Sequence, residues 1–255
     1  MASTIALFSF ITIQQFCCKA KFKKCCFLVS DVGIKGKSSF ISGTLILVAT
    51  GNPLTDKCQV VDMNSSTLCS NLPSYPHSMY AAAGGIINGS PLICGGERSG
   101  ENFLKSCYIF DKIANVWKFH SNLKSNRHRH ASVVLNDALF ITGGHDISYH
   151  TSGSTLATTE FVYANGTVTS GANLPMSRGG HCMVTLHNGN VIIIGADKPT
   201  SLSRNVIIFD PNNNTFSNGP TLTYDRRGAA CTLFKSPLHK DLLFLLAGEL
   251  GKTQQ

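Results

Sequence analysis

The chain has 255 residues, 43% apolar and 14% charged, with 23 Gly, 18 Asn and one Trp, Trp117. That composition excludes general disorder, which needs low hydrophobicity and high charge, and it excludes a long coiled coil. The formal charge of +8 is uneven: residues 1–40 hold six Lys and one Asp, so the other 215 residues carry only +3 and give no electrostatic ground for nucleic-acid binding.

Residues 1–40 read as a basic, Cys-rich leader outside the fold. Ile5 to Ile13 (IALFSFITI) has the length of a signal-peptide core, but no Lys or Arg precedes it and no small-x-small cleavage site follows. A signal peptide and a disordered N-terminus both fit. Cys17, Cys18, Cys25 and Cys26 lie among four lysines, a pattern open to acylation. Adjacent Cys lack the gap that lets two thiolates chelate one zinc, and a solvated tail is the simpler reading. No apolar stretch reaches the ~20 residues of a membrane-spanning helix.

Beyond the leader, five apolar runs each end in Gly or a Gly pair: LILVATG (45–51), PLICGG (91–96), ALFITGG (138–144), VIIIGA (191–196) and LLFLLAG (242–248). Short apolar, β-branched runs bounded by turn signals read as buried strands. Another strand and a tight turn precede four of them (AAAGGIINGS, HASVVLNDA, HCMVTLHNGN, AACTLFKSPLHKD). A loop and a third strand follow four of them (KCQVVDM, SCYIFDK, TTEFVYA, NVIIFDP), then a turn rich in Asn, Gly and Ser and a fourth strand. A four-strand meander repeated at about 50 residues is the signature of propeller blades.

In these features the body resembles kelch-repeat β-propellers, over roughly residues 43–249. Gly95-Gly96 and Gly143-Gly144 close second strands, with degenerate versions at Thr50-Gly51, Gly195-Ala196 and Ala247-Gly248. Third strands end in Phe110-Asp111 and Phe209-Asp210, an aromatic follows six residues after each Asp (Trp117, Phe216), and Arg127-x-x-His130 and Arg178-x-x-His181 precede first strands. The implied fold is all-β, a kelch-type propeller of four-stranded antiparallel blades, with Trp117 packing between blades. GKSSFISG is a poor strand and only GELGKTQQ follows the last run, so the expected layout is three full blades flanked by two partial ones. The divisions are a leader at 1–40, a propeller at 41–249 and a tail at 250–255, and the chain reads as a fragment of a longer propeller, a compact four-bladed closure being the less favoured reading.

Cys58 and Cys69 flank the Met63-Asn64 turn symmetrically, and Cys94 and Cys107 end and open neighbouring strands. Two matched pairs point to disulfides and an oxidising compartment, buried thiols in a reduced protein being the other reading. Cys182 and Cys231 stand 49 apart, with Ala131 as counterpart one blade earlier, and read as small packing residues.

In a meander the 2–3 and 4–1 loops share one mouth of the propeller, and the hairpin turns share the other. The first mouth takes Glu97, Arg98, Glu101, His145, Asp146 and His150 from 2–3 loops, and Arg127, His128, Arg129, Arg178, Arg226 and Arg227 from 4–1 loops. Arginines on several blades are suited to bidentate recognition of acidic side chains or a carboxylated glycan, or to structural bridging between loops. The resemblance implies that partner peptides bind this face. Four sequons, at Asn64, Asn88, Asn165 and Asn213, fall in the opposite turns and are candidates for glycosylation.

Catalytic patterns are missing. There is no Tyr/His/Cys cluster of the copper-radical oxidase kind at matching loops, and Thr142 stands where an iron-binding E-x-x-x-D-x-x-x-H pattern ending in Asp146 and His150 needs Glu. No nucleophile elbow, zincin or phosphate-loop motif occurs, and four Glu provision paired-carboxylate chemistry poorly. The expectation is a non-enzymatic, cofactor-free, monomeric propeller that binds a protein or glycan, extracellular, with no nucleic-acid partner. An intracellular kelch adaptor for ubiquitin ligases and a galactose-oxidase-like propeller enzyme are the alternatives.

Overall fold

A computed structural model describes residues 38–246 apart from 43–44, 50–54, 63–66, 70–71, 101, 148–154, 198–200, 227, 229 and 235–241. The leader cysteines, Asn64, Glu101, His150, Arg227 and the glycine positions Gly51 and Gly248 lie outside the described residues.

Blade 1 is β1 (Ser38–Ser42), β2 (Leu45–Ala49), β3 (Cys58–Asp62) and β4 (Thr67–Cys69). Blade 2 is β5 (Ala83–Ile87), β6 (Ser90–Cys94), β9 (Ser106–Asp111) and β10 (Val116–Asn122), with a small hairpin of β7 (Glu97–Arg98) and β8 (Asn102–Phe103) in its 2–3 loop. Blade 3 is β11 (Ala131–Leu135), β12 (Ala138–Thr142), β13 (Thr159–Tyr163) and β14 (Val168–Ser170). Blade 4 is β15 (Cys182–Thr185), β16 (Val191–Ile194), β17 (Val206–Asp210) and β18 (Thr215–Asn218), and β19 (Ala230–Phe234) and β20 (Leu242–Leu246) form a two-stranded fifth sheet. Every pairing is antiparallel, and the first strands β1, β5, β11, β15 and β19 lie side by side in that order.

The first unit therefore has four strands, which corrects the expected count of full blades from three to four. The polar segment SSFIS pairs in register with LILVA, from Ser38 opposite Ala49 to Ser42 opposite Leu45. Pairing with a strongly β-forming neighbour overrides the weak local propensity that made this segment look like a loop. β1 also starts inside the segment assigned to the leader.

The glycine pairs connect blades. The Gly96 amide donates to the Arg127 carbonyl at 2.7 Å, and Gly144 to that of Arg178 at 2.8 Å. Gly95 and Gly143 have φ of 67° and 56°, and a Cβ on either would press into the same Arg carbonyl. Ala196 makes the equivalent bond to Arg226 at 3.1 Å, and Gly195 before it keeps the positive φ (82°) of Gly95 and Gly143.

Aromatic side chains fill the wedges. Trp117 on β10 packs edge-on against Tyr75 (centroids 5.1 Å apart) and beside Phe110, over a cluster with Cys58 of blade 1. Between blades 3 and 4, Phe161, Phe140, Phe209 and Phe216 form a continuous run with centroids 4.5–4.8 Å apart.

Cys94 and Cys107 face each other across β6 and β9 and form a disulfide. The expected Cys58–Cys69 bridge does not form: Cys69 opposes Val60, two residues from Cys58, and Cys58 is a free, buried thiol. Burial pushes that thiol up to about 11 against the opposing pull of the Trp117 side chain. A second disulfide instead joins Cys182 on β15 to Cys231 on β19, with Cα atoms 5.9 Å apart. Their 49-residue spacing suggested one repeat position, but the strand registers differ. Cys182 pairs with Ile194, the last residue of its second strand, whereas Ala230 pairs with Leu246 and Cys231 with Leu245. Cys231 is thus one residue out of phase with Cys182. A one-residue offset turns a strand side chain to the opposite face, so the two thiols face each other between blades.

Candidate functional site

The mouth formed by 2–3 and 4–1 loops is built by one repeated backbone device. In each 4–1 loop one residue holds a left-handed conformation: Ala81 (φ 56°), Arg129 (52°), Gly180 (61°) and Gly228 (56°). They are chained across blades, the Arg129 amide donating to the Ala81 carbonyl at 2.9 Å, Gly180 to Arg129 at 2.8 Å and Gly228 to Gly180 at 3.1 Å. The preceding residue in each loop bridges to the residue after the glycine pair, as Tyr80 to Glu97, His128 to His145 and Asp197 to Gly179. This brings Glu97, His145 and Asp197, from three successive blades, to the inner rim.

Around that rim, the His145 Nε2 lies 3.0 Å from Asp197 Oδ2, and its Nδ1 lies 3.3 Å from Thr155 Oγ1. The imidazole occupies the space that a side chain on Gly179 would need. His128 stacks on Phe103 with centroids 4.4 Å apart, faces Glu97 Oε2 at 3.8 Å and is fully buried. Burial, then the nearby His145 and Arg129, lower His128 to about 4, so its ring is neutral. Arg129 Nη1 sits 3.7 Å from Asp197 Oδ1. The ionisable groups of this cluster thus contact one another: Glu97 with His128, and Asp197 with both His145 and Arg129.

Two arginines expected at the mouth are elsewhere, which corrects that assignment. The Arg127 side chain is buried and turns into blade 3. Its Nε lies 3.0 Å from Glu160 Oε1, its Nη2 2.7 Å from Thr158 Oγ1, and its Nη1 2.7 Å from the Gly143 carbonyl. Arg178 is equally buried and aims at the carbonyls of Gly195 and Asn205 from 3.4 and 3.5 Å. A guanidinium with five donors satisfies adjacent loop carbonyls, so the Arg-x-x-His element serves blade packing. His145 is buried as well, while Arg98 is exposed and Arg129, Arg226 and Asp146 are half-exposed.

Sequence reasoning missed Glu160, the counter-charge of Arg127. The available signal was a Glu in the middle of an apolar third strand. It also missed Ile147, Met176 and Tyr224, three large apolar side chains left 46%, 40% and 64% exposed on loops of this mouth. Met176 and Tyr224 are repeat equivalents, each two residues before an inter-blade arginine. Among the described residues no helix is long and apolar enough to cross a membrane, and no group of three or more His, Cys, Asp or Glu is placed to hold a metal ion.

No model of a known protein family matches the chain. Alpha-scruin of Limulus polyphemus is 25% identical over 154 residues, covering 59% of this chain and 16% of alpha-scruin. Beta-scruin of the same organism is 26% identical over 129 residues, covering 49% of this chain and 14% of its own length. The chain therefore spans only about one sixth of the relatives it matches. Among solved structures, that of YjhT superposes with a TM-score of 0.66 at 13% identity, over 82% of this chain and 70% of the other. At that identity the likeness speaks for the fold. The fold is that of a kelch-type β-propeller. Within the propeller, the kelch elements have separable tasks: the glycine pair admits the next blade's Arg carbonyl, the buried Arg ties loops of its own blade, and the fourth-strand aromatic fills the wedge.

Proposed function

We propose that the propeller is a non-enzymatic module that binds a protein partner through the face formed by its 2–3 and 4–1 loops. The observation that carries this reading is the exposure of Ile147, Met176 and Tyr224 on loops of that face, which also carries the exposed Arg98 and the half-exposed Arg129. Exposed apolar side chains ringed by polar ones characterise protein-binding surfaces, and Tyr and Arg are frequent interface anchors. Burial of Arg127 and Arg178 removes the ring of basic groups on which recognition of a carboxylated glycan would rest, so a protein is the favoured partner. The half-buried Glu97 and Asp197 and the buried His128 and His145 are engaged with one another at the rim, which favours recognition over acid–base chemistry. Two disulfides support an extracellular setting.

The test is cross-linking and co-purification of the full chain from its source tissue, with the triple variant Ile147→Ser, Met176→Ser, Tyr224→Ser and the opposite-face variant Ile113→Ser as control. Loss of the cross-linked partner only in the triple variant supports the reading. Equal loss in both, or in neither, refutes it.

A further inference from the structure

The opposite face carries a different kind of signal. The sequence has 18 Asn, and the fold sorts the 15 that are described by side. Six fall in or lead into the 2–3 and 4–1 loops (102, 122, 126, 173, 205 and 218), and none of these is followed by x-Ser or x-Thr. The other nine fall in the hairpin turns, and three of those are sequons. Turn preference explains Asn in the turns; it does not place a hydroxyl residue two positions later, as Asn115, Asn136 and Asn188 in comparable turns show.

Three of the sequons lie among the described residues. Asn88 opens the β5–β6 turn at φ 47°, and Asn165 and Asn213 sit in the β13–β14 and β17–β18 turns; all three are exposed. The linking nitrogens of Asn165 and Asn213 are compatible with substitution in the folded chain. Asn165 uses Oδ1 to accept from the Thr167 amide at 3.0 Å, so that bond does not involve its Nδ2. Asn213 donates one Nδ2 hydrogen to Asp210 Oδ2 at 2.7 Å, and a substituted amide keeps one hydrogen for that bond. A second, independent observation concerns the compartment. Cys94–Cys107 and Cys182–Cys231 are disulfides, the latter between blades, and structural disulfides persist where the chain is oxidised, as in the endoplasmic reticulum lumen.

We propose that Asn88, Asn165 and Asn213 carry N-linked glycans, which cover the hairpin-turn face and leave the 2–3/4–1 face bare. The co-reactant is an oligosaccharide on a lipid pyrophosphate. The Asn Nδ2 attacks the anomeric carbon, forming the N–C bond while the C–O bond to the pyrophosphate breaks. One amide proton is released and the lipid pyrophosphate leaves. No oxidation state changes. A glycan is bulky and strongly hydrated, so it blocks association through the face that bears it and leaves the bare face for partners. Occupancy of these sites does not depend on what the bare face binds.

The experiment expresses the full chain in insect cells and measures its mass before and after treatment with a peptide N-glycosidase. Three single variants, Ser90→Ala, Thr167→Ala and Thr215→Ala, each abolish one sequon while keeping the turn Asn. A glycosidase-sensitive product that loses one glycan in at least two of the three variants, with the rest of its glycans retained, supports the proposal. An unmodified chain, or glycans that persist unchanged in two or more variants, overturns it. Because no variant touches a turn Asn or a core residue, far-UV circular dichroism and yield distinguish loss of a glycan from loss of the fold.

Discussion

Arg127 and Glu160 form an ion pair sealed from solvent, with Nη2 2.8 Å from Oε1 and side chains only 0% and 2% exposed. Glu160 also accepts from the Lys124 amide at 2.7 Å, so one carboxylate holds both the guanidinium and the loop that delivers it. Breaking a buried pair leaves an uncompensated charge, so Glu160→Gln should lower stability by about 3–5 kcal/mol in denaturant unfolding. A loss below about 1 kcal/mol would mean that solvent reaches the pair.

Arg178 is the same element one blade later, without a partner carboxylate among the described residues. The repeat equivalent of Glu160 is Ile207, since Ile141 pairs with Glu160 and Ile193 with Ile207. Its Nε and Nη2 have no hydrogen-bond partner, and burial lowers its pKa to about 10. Removing a buried charge that lacks a counter-ion is often neutral or stabilising. Arg178→Met should therefore change stability by less than about 1 kcal/mol, or raise it, while Arg127→Met costs about 3 kcal/mol or more. Equal losses in parallel melts would show that Arg178 is compensated.

Three buried histidines set the acid limit. Burial, then the charge of Arg127, lowers His130 to about 3; burial, then His145, lowers His128 to about 4; and burial, then Arg178, puts His181 well below its ordinary value. In the unfolded chain each takes up a proton near pH 6.5, whereas the folded chain does so only at lower pH. The unfolded state thus binds more protons throughout that window, and stability falls with falling pH. Each histidine contributes a slope of up to about 1.4 kcal/mol per pH unit between pH 6.5 and its folded pKa. Unfolding midpoints measured from pH 7 to 4 should fall steeply, and His130→Gln should flatten the curve; a flat wild-type curve would refute this.

Cys182 and Cys231 close a 49-residue loop between the first strands of blades 4 and 5. Cys231→Ser should lower stability by about 3–4 kcal/mol, and non-reducing peptide mapping should recover the Cys182–Cys231 and Cys94–Cys107 cross-links. Cys58 should titrate as a thiol only after denaturation, because it is free and buried.

The left-handed ring offers a stabilising change. Ala81 holds φ 56° where its equivalents in two later blades are Gly180 and Gly228. A Cβ in that conformation costs roughly 1–2 kcal/mol, partly offset by the extra chain entropy of glycine. Ala81→Gly should raise stability by about 0.5–1 kcal/mol in thermal or chemical melts, and a loss of similar size would show that the Ala side chain is held by packing.

The sequence by itself determined blades 2 to 4, but not the first strand of blade 1. Apolar second strands ending in glycine, third strands ending in Phe110-Asp111 and Phe209-Asp210, and the aromatics Trp117 and Phe216 are local patterns, and each specifies its own strand or turn. The Cys94–Cys107 bridge was legible for the same reason, because the two residues end and open strands that pair directly. Only the tertiary structure decided which way each loop side chain turns and what stands beside it in the next blade. Arg127 and Arg178 look like rim residues in sequence, yet the carbonyls and Glu160 that take up their donors are 16–33 residues away and draw them inward. Cys182 and Cys231 look equivalent by spacing, yet a one-residue shift of register turns them toward each other. Strand pattern depends on neighbours in the chain; partner choice depends on how successive blades face one another, which no single repeat encodes.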